Sequence, residues 1–473
     1  MNTINTDIYF NLFSIMDIAD ILSLTSTCTM FWKLQDDQRI TGNCLWKNLL
    51  IRDFPLFFEE SNDCLKYLDR LIFEGKSKDE RYSAKRKYSQ VLCASRLQPF
   101  MEKYYVGYNV ERDDDTILDA YNRKINFFPK EVCYLSNLSE LRLYNNLLES
   151  LPKEIGLLEN LIEINLRSNL LTSLPKEIGK CVNLQELYLG HNKLVHGFPD
   201  EISSCINLKT IDLQSNSIDD SNFPREILCC PNLEVLNLNT NYLQSLPEEI
   251  EKCQNLTELH LSCNKLTSLP NSIGNCSKLR SLYLDDNQLT SLPKSIGNCS
   301  NLEKLSLNYN LLTSLPESIG KCSNLGRLYV DNNKLTSLPE YICNLSVLLD
   351  LQVNHNELSS LPESIGNCFN LLTLEVENNE LSSLPKSIGN CSKLVNLRVS
   401  YNNLTSLPKS VGRCFELRNL CMDRNKLTSL PKSIGNCSRL GLLDVRYNKL
   451  TSLPKTISNC HELNFLYVIG NSI

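Results

Sequence analysis

From about Asn137 to Ile473 a single 23-residue unit returns again and again. Leu315–Ser337 is a representative copy: Leu-Pro-Glu-Ser-Ile-Gly-Lys-Cys-Ser-Asn-Leu-Gly-Arg-Leu-Tyr-Val-Asp-Asn-Asn-Lys-Leu-Thr-Ser. A fixed period of this length specifies a solenoid, in which each copy buries its apolar face only by stacking on its neighbours. Two thirds of the chain is thereby committed to an open, repetitive surface, an architecture suited to holding another molecule.

Within each copy the pattern Leu138-x-x-Leu141-x-Leu143-x-x-Asn146-x-Leu148 resembles the leucine-rich-repeat family. Alternation in Leu141-x-Leu143 predicts a short strand with one buried face. Asn146 has counterparts in every later copy, from Asn169 to Asn471. An amide both donates and accepts, so this column is expected to satisfy backbone groups where the strand turns away. Fifteen such asparagines are preceded by a degenerate copy, Leu118-x-Ala120-x-x-Arg123-x-Ile125 with Phe128-Pro129, for about 16 copies over residues 118–473. An atypical first copy suggests a cap or junction. Leu-Pro-x-x-Ile-Gly after each strand predicts short turns or 3₁₀ segments on the convex side, with Pro resisting a continuing strand and Gly permitting a tight turn. Two copies are longer, by one residue at Val195–Pro199 and by two at Asp219–Pro224, and a local change of curvature is expected there. At ~4.8 Å per strand the inner parallel sheet should run roughly 75 Å. The final copy places Phe465, Tyr467 and Ile469 at outward positions, an apolar end open to a partner or a second copy.

The formal charge of −6 and a pI near 5.6 argue against a nucleic-acid partner. No apolar run approaches a membrane span, and Met1–Asp20 lacks the basic start of a secretory signal. Of 21 cysteines, twelve occupy one repeat column, from Cys181 to Cys460, and Leu135, Leu158 and Leu345 stand in that column elsewhere. A position shared with Leu calls for a compact apolar filler, so these are expected to be buried free thiols in a reducing, cytoplasmic setting.

Copies differ most at outward strand positions. One column reads Arg142, Asn165, Tyr188, Asp212, Asn237, His260, Tyr283, Ser306, Tyr329, Gln352, Glu375, Arg398, Cys421, Asp444, Tyr467. Scaffold positions are nearly uniform, so the varied concave face is the expected recognition surface, with Tyr and Arg as typical anchors. Candidate contacts are Tyr188; the group Tyr283, Asp285, Tyr309, Arg327, Tyr329 and Asp331; and the group Arg398, Tyr401, Arg424, Arg446 and Tyr447. His260 with Cys263, and His191 with His355, are too few or too far apart for a metal, and no cofactor is expected. No nucleophile triad, P-loop or dinucleotide motif is visible, so no enzyme activity is expected.

The first 55 residues are different. Ile8, Leu12 and Phe13 fit one amphipathic helix; Ile18, Ile21 and Leu22 fit a second; Leu24, Cys28, Phe31 and Trp32 follow helical spacing, and Leu45-Trp46-Lys47 comes next. In order and spacing these segments resemble the F-box family, although Thr6-Asp7 stands where that family opens with Leu-Pro. The stretch Asn48–Pro55 is similar to F-box proteins of large amoeba viruses. The resemblance implies docking to a Skp adaptor through Ile8, Leu12, Phe13, Ile18, Ile21, Leu22 and Trp46. It also implies a role as the non-catalytic substrate-recognition subunit of a cullin–RING ubiquitin ligase, with the repeats holding the target protein. The alternative is a leucine-rich-repeat signalling scaffold of the Ras-binding or phosphatase-regulating type, whose opening helices cap the stack. Residues 56–117 are expected to form a helical connector whose basic run, Lys76–Lys87, is a solvated face. The fold class is an α/β leucine-rich-repeat solenoid preceded by a small all-α domain.

Overall fold

The structure, a computed structural model, describes residues 116–135, 137–194 and 198–473. The F-box-like segment, the connector as far as Asp115, and Val195, His196 and Gly197 of the first long copy lie outside the described residues. The solenoid comprises Thr116–Phe128 and Leu138–Ile473. Sixteen three-residue strands, from β1 (Ile117–Asp119) to β16 (Phe465–Tyr467), form one parallel sheet in strict chain order. The degenerate first copy is therefore a full structural member. Leu118 and Ala120 are fully buried, and Ile125 and Phe128 nearly so.

The expected alternation holds. In β10 (Arg327–Tyr329) Leu328 is fully buried between two outward residues, and Val330 continues the buried row. Each copy then turns through a five-residue 3₁₀ segment such as Lys294–Asn298, entered through Pro293 at φ −66°, ψ 146° and closed by the Cys299 amide on Ile296 O at 3.1 Å. Proline fits because its position is extended and needs no N–H. The glycine that follows serves a different purpose from the one expected. Among the described residues the only glycine with positive φ is Gly470, so the turn does not need glycine's backbone freedom. What needs it is contact between copies. A Cβ on Gly297 would lie 2.3 Å from Ser318 O and 2.9 Å from Ser318 Cβ in the next copy.

The asparagine column meets the backbone as expected. Asn333 Nδ2 donates to Leu307 O at 2.9 Å in the preceding copy and to Asp331 O at 3.1 Å in its own, while its Oδ1 accepts the Leu312 N–H at 3.0 Å. Each amide thus ties two adjacent copies and leaves few buried polar groups unpaired.

All twelve column cysteines are buried and unbridged. They are more than filler. Each thiol donates to a carbonyl of the preceding copy, as in Cys299 Sγ to Ile273 O at 3.4 Å and Cys322 Sγ to Ile296 O at 3.3 Å. Burial pushes the Cys322 thiol up to about 12, so the spine stays protonated and unreactive at neutral pH.

The second long copy closes on itself. Asp219 Oδ1 accepts from Ser221 N and Oγ, and Asp220 accepts the Gln244 and Ser245 amides of the next copy at 2.7 and 3.2 Å. Pro224 is displaced to ψ 79°, against 142° at Pro316, and the 3₁₀ segments beside it pack less closely. In β16, Leu466 is 41% exposed where its counterparts are buried, and Phe465, Tyr467 and Ile469 are exposed with it.

Candidate protein-binding surface

The first and third residues of every strand stand on the open face of the sheet, because strand side chains alternate. The fifth residue of each row follows them. It is succeeded by a residue in the left-handed region in every copy, from Asn122 at φ 56° to Tyr447 at φ 52°. These columns together carry all the candidate contacts, and the structure sorts them by what each side chain already does.

Asp285 and Asp331 belong to a second, shorter ladder that the sequence did not reveal. Asn239 Oδ1 accepts the Ser262 amide at 2.7 Å, Asp285 Oδ1 the Asn308 amide at 2.9 Å, and Asn308 Oδ1 the Asp331 amide at 2.8 Å. Asp331 Oδ1 then accepts the Asn354 amide at 2.6 Å, and Asn354 Oδ1 the Glu377 amide at 2.7 Å. The two aspartates therefore brace neighbouring copies. Burial raises the Asp331 carboxyl to about 6, partly offset by the Asn354 amide and reinforced by Glu375. A raised carboxyl holds its proton more tightly when folded, so the stability it provides is intact below about pH 4 and is lost as pH rises through 6. Asp331→Asn keeps an oxygen acceptor, as Asn308 and Asn354 do, and cannot ionise. It should gain about 1–2 kcal/mol at pH 8 and nothing at pH 4, after allowance for solvent screening. Urea midpoints at the two pH values test this, and equal shifts at both would refute it.

Tyr309, Tyr401, Arg424 and Tyr447 occupy the left-handed turn. Bulky side chains there cost about 1–2 kcal/mol each. At the last three, stacking offsets the cost. The Arg424 guanidinium lies 5.1 Å from the Tyr401 ring and 4.7 Å from the Tyr447 ring, sandwiched between two exposed tyrosines. Arg398 pairs with Glu375 at 3.4 Å, and Arg446 grips the buried Asp444 at 2.6 Å and also lies 5.2 Å from the Tyr467 ring.

In the central group the Tyr283 ring stacks on His260 at 4.5 Å, and Tyr329 Oη donates to Asp350 Oδ2 at 3.1 Å. Arg327 is exposed at the start of β10. Lys304, which comparison of the third-residue column alone overlooks, points its Nζ at both rings, 4.7 Å from Tyr283 and 5.6 Å from Tyr329. Near the start of the sheet Tyr188 Oη donates to Glu186 at 2.6 Å, and the Arg167 guanidinium lies over its ring at 4.3 Å while pairing with the buried Asp212 at 2.6 Å. Desolvation, then the Glu186 contact, raises the Tyr188 phenol to about 12. Among the described residues no three His, Cys, Asp or Glu side chains converge as a metal site. His260 is instead held by Tyr283 and Glu258, and no described helix is long and apolar enough to cross a membrane.

The solenoid is similar to known proteins in sequence and fold. The leucine rich repeat family model matches residues 136–194, 231–289 and 277–335. A leucine-rich-repeat protein of Leptospira interrogans is 35% identical, with a TM-score of 0.69 over 75% of this chain and 90% of that one. A plant peptide hormone receptor, RGFR1 in complex with RGF2, is 32% identical with a TM-score of 0.57 over 73% of this chain and 61% of that one. The TDR receptor is 27% identical with a TM-score of 0.60 over 75% of this chain and 67% of that one. No curated protein matches the sequence. The chain belongs to the leucine-rich-repeat family, and its solenoid is a protein-interaction scaffold.

Proposed function

We propose that the open face of the sheet is a receptor for a partner protein, and that the chain presents this partner to a cullin–RING ubiquitin ligase through a Skp adaptor bound by residues 1–55. The observation that carries the receptor reading is the division of labour among the columns. Leucine, asparagine and cysteine rows make the stack, while the first and third strand residues set aromatic and charged side chains on an exposed face. Such rigid, amphipathic side chains dominate protein interfaces. The 32% identical plant receptor in complex with RGF2 supports the reading.

The ligase role rests on the F-box resemblance of Ile8–Phe13, Asp17–Leu24, Thr27–Trp32 and Leu45–Lys47. Held on a ligase, a target gains effective concentration near the transfer enzyme without any chemistry in this chain. Unbridged thiols throughout the solenoid fit a reducing compartment, cytoplasm or nucleus. Tagged full-length protein should copurify with a Skp adaptor, and Ile21→Asp with Leu22→Asp should abolish this at least tenfold while the solenoid's circular dichroism is unchanged. If the full-length protein captures no Skp adaptor, the ligase role fails and the chain is a leucine-rich-repeat scaffold without it.

A further inference from the structure

The open face carries more acidic than basic side chains, and the aspartates in its middle are hydrogen-bonded. In the middle of the sheet two cations stand side by side, neither in an ion pair among the described residues. Lys304, in β9 (Lys304–Ser306), lies directly across from Arg327 in the parallel register, and Arg327 lies across from Asp350 on its other side. Strands are about 4.8 Å apart, and like charges directly opposite each other destabilise a sheet. Neither has a carboxylate within ion-pair distance among the described residues, although both lie among aspartates. Those aspartates have other partners. Asp285 accepts Ser306 Oγ at 2.6 Å and the Asn308 amide, Asp331 accepts the Asn354 amide, and Asp350 accepts Tyr329 Oη and Gln352 Nε2 at 3.1 and 3.2 Å. Tyr283 and Tyr329 rise on either side of the buried Ser306, whose small side chain leaves a gap between the two rings, and Lys304 points into that gap.

We propose that Lys304 and Arg327 form the anchor for an acidic side chain, Asp or Glu, of an extended partner segment lying across β8 (Ser281–Tyr283) to β10. The inference rests on the receptor reading of the open face. A carboxylate set over the pair would ease the repulsion between the two cations, accept a bidentate contact from Arg327, and lie against the two rings. One negative charge suits the place better than two, because a phosphate dianion would also face Asp285, Asp331 and Asp350.

Panning phage-displayed random 12-residue peptides on the immobilised full-length chain tests this. The selected peptides, synthesised with a fluorophore, are then titrated by anisotropy against wild type, Lys304→Gln/Arg327→Gln, a Tyr188→Ala variant elsewhere on the same face, and a Phe415→Ala variant at an exposed turn off the sheet. The expected result is an excess of Asp or Glu at one peptide position, and binding at least tenfold weaker in the double variant but unchanged in Phe415→Ala. Arg327→Gln alone leaves Lys304 on its rings and serves if the double variant unfolds; at least a fivefold loss is expected. Peptides that bind the double variant as well as wild type but lose affinity in Tyr188→Ala overturn the acidic anchor and leave the receptor face standing. Peptides indifferent to every variant overturn both. Recovery of no binder, or binding that appears only when the acidic residue is replaced by phosphoserine, overturns the carboxylate anchor.

Discussion

Asn333→Ala is expected to destabilise the solenoid by about 3–5 kcal/mol. The side chain answers the Leu312 amide and the carbonyls of Leu307, Val330 and Asp331, at 2.9 to 3.3 Å. Asn333 is buried, and so are Leu307, Leu312 and Val330, so truncation strands several backbone groups without water. Each stranded group costs about 1–3 kcal/mol, and the sum is reduced where the turn relaxes. Because copies interact only with neighbours, the damage falls in the middle of the stack and weakens the junctions on both sides. The expected signature in urea is a lower midpoint together with a shallower transition, as the two halves begin to unfold separately. A midpoint within 0.5 kcal/mol of wild type would show that the ladder is dispensable.

Gly297→Ala should be the next most damaging single change, at about 2–4 kcal/mol. The added methyl would meet backbone oxygen and Cβ of Ser318, neither of which can swing away as a flexible side-chain tip could. Relief requires the two copies to separate, which breaks the adjoining Cys322–Ile296 contact. Gly326→Ala is the control. Its nearest neighbours would be 3.7 Å away, so it should change stability by less than about 1 kcal/mol. Equal effects at the two glycines would remove the steric argument.

The fold was legible because the period is strict. Strand, asparagine, proline and cysteine columns recur at fixed offsets, and each has one physical use. The second ladder was hidden, since Asn239, Asp285, Asn308, Asp331 and Asn354 read as variation when only identity is compared. What unites them is an oxygen two bonds from Cβ, which the Asp and Asn side chains share. Asp285 and Asp331 therefore serve the stack as well as standing among the candidate contacts. Tyr401, Arg424 and Tyr447 lie together in the structure, but nothing in the pattern announces a left-handed turn or the sandwich that compensates it. The glycine column reads as a turn signal in sequence, because closeness between copies leaves no mark within one copy. Lys304 stands in the first-residue column, where no single residue type or contrast between copies marks it. The opening segment, expected to be helical from its spacing and F-box-like from resemblance, lies outside the described residues.

The hydrogen bonds between copies have a consequence for how such a gene can change. Asn333 reaches Leu312 21 residues earlier and Leu307 26 residues earlier, and the same two intervals recur at Asn310 with Leu289 and Leu284. Excision or duplication of one whole 23-residue unit rejoins the chain with both intervals restored. Length can therefore drift by unequal recombination among near-identical copies at little folding penalty. Across the two long copies the corresponding intervals are 22 and 27 residues, then 23 and 28, so a unit exchanged there carries its own length with it.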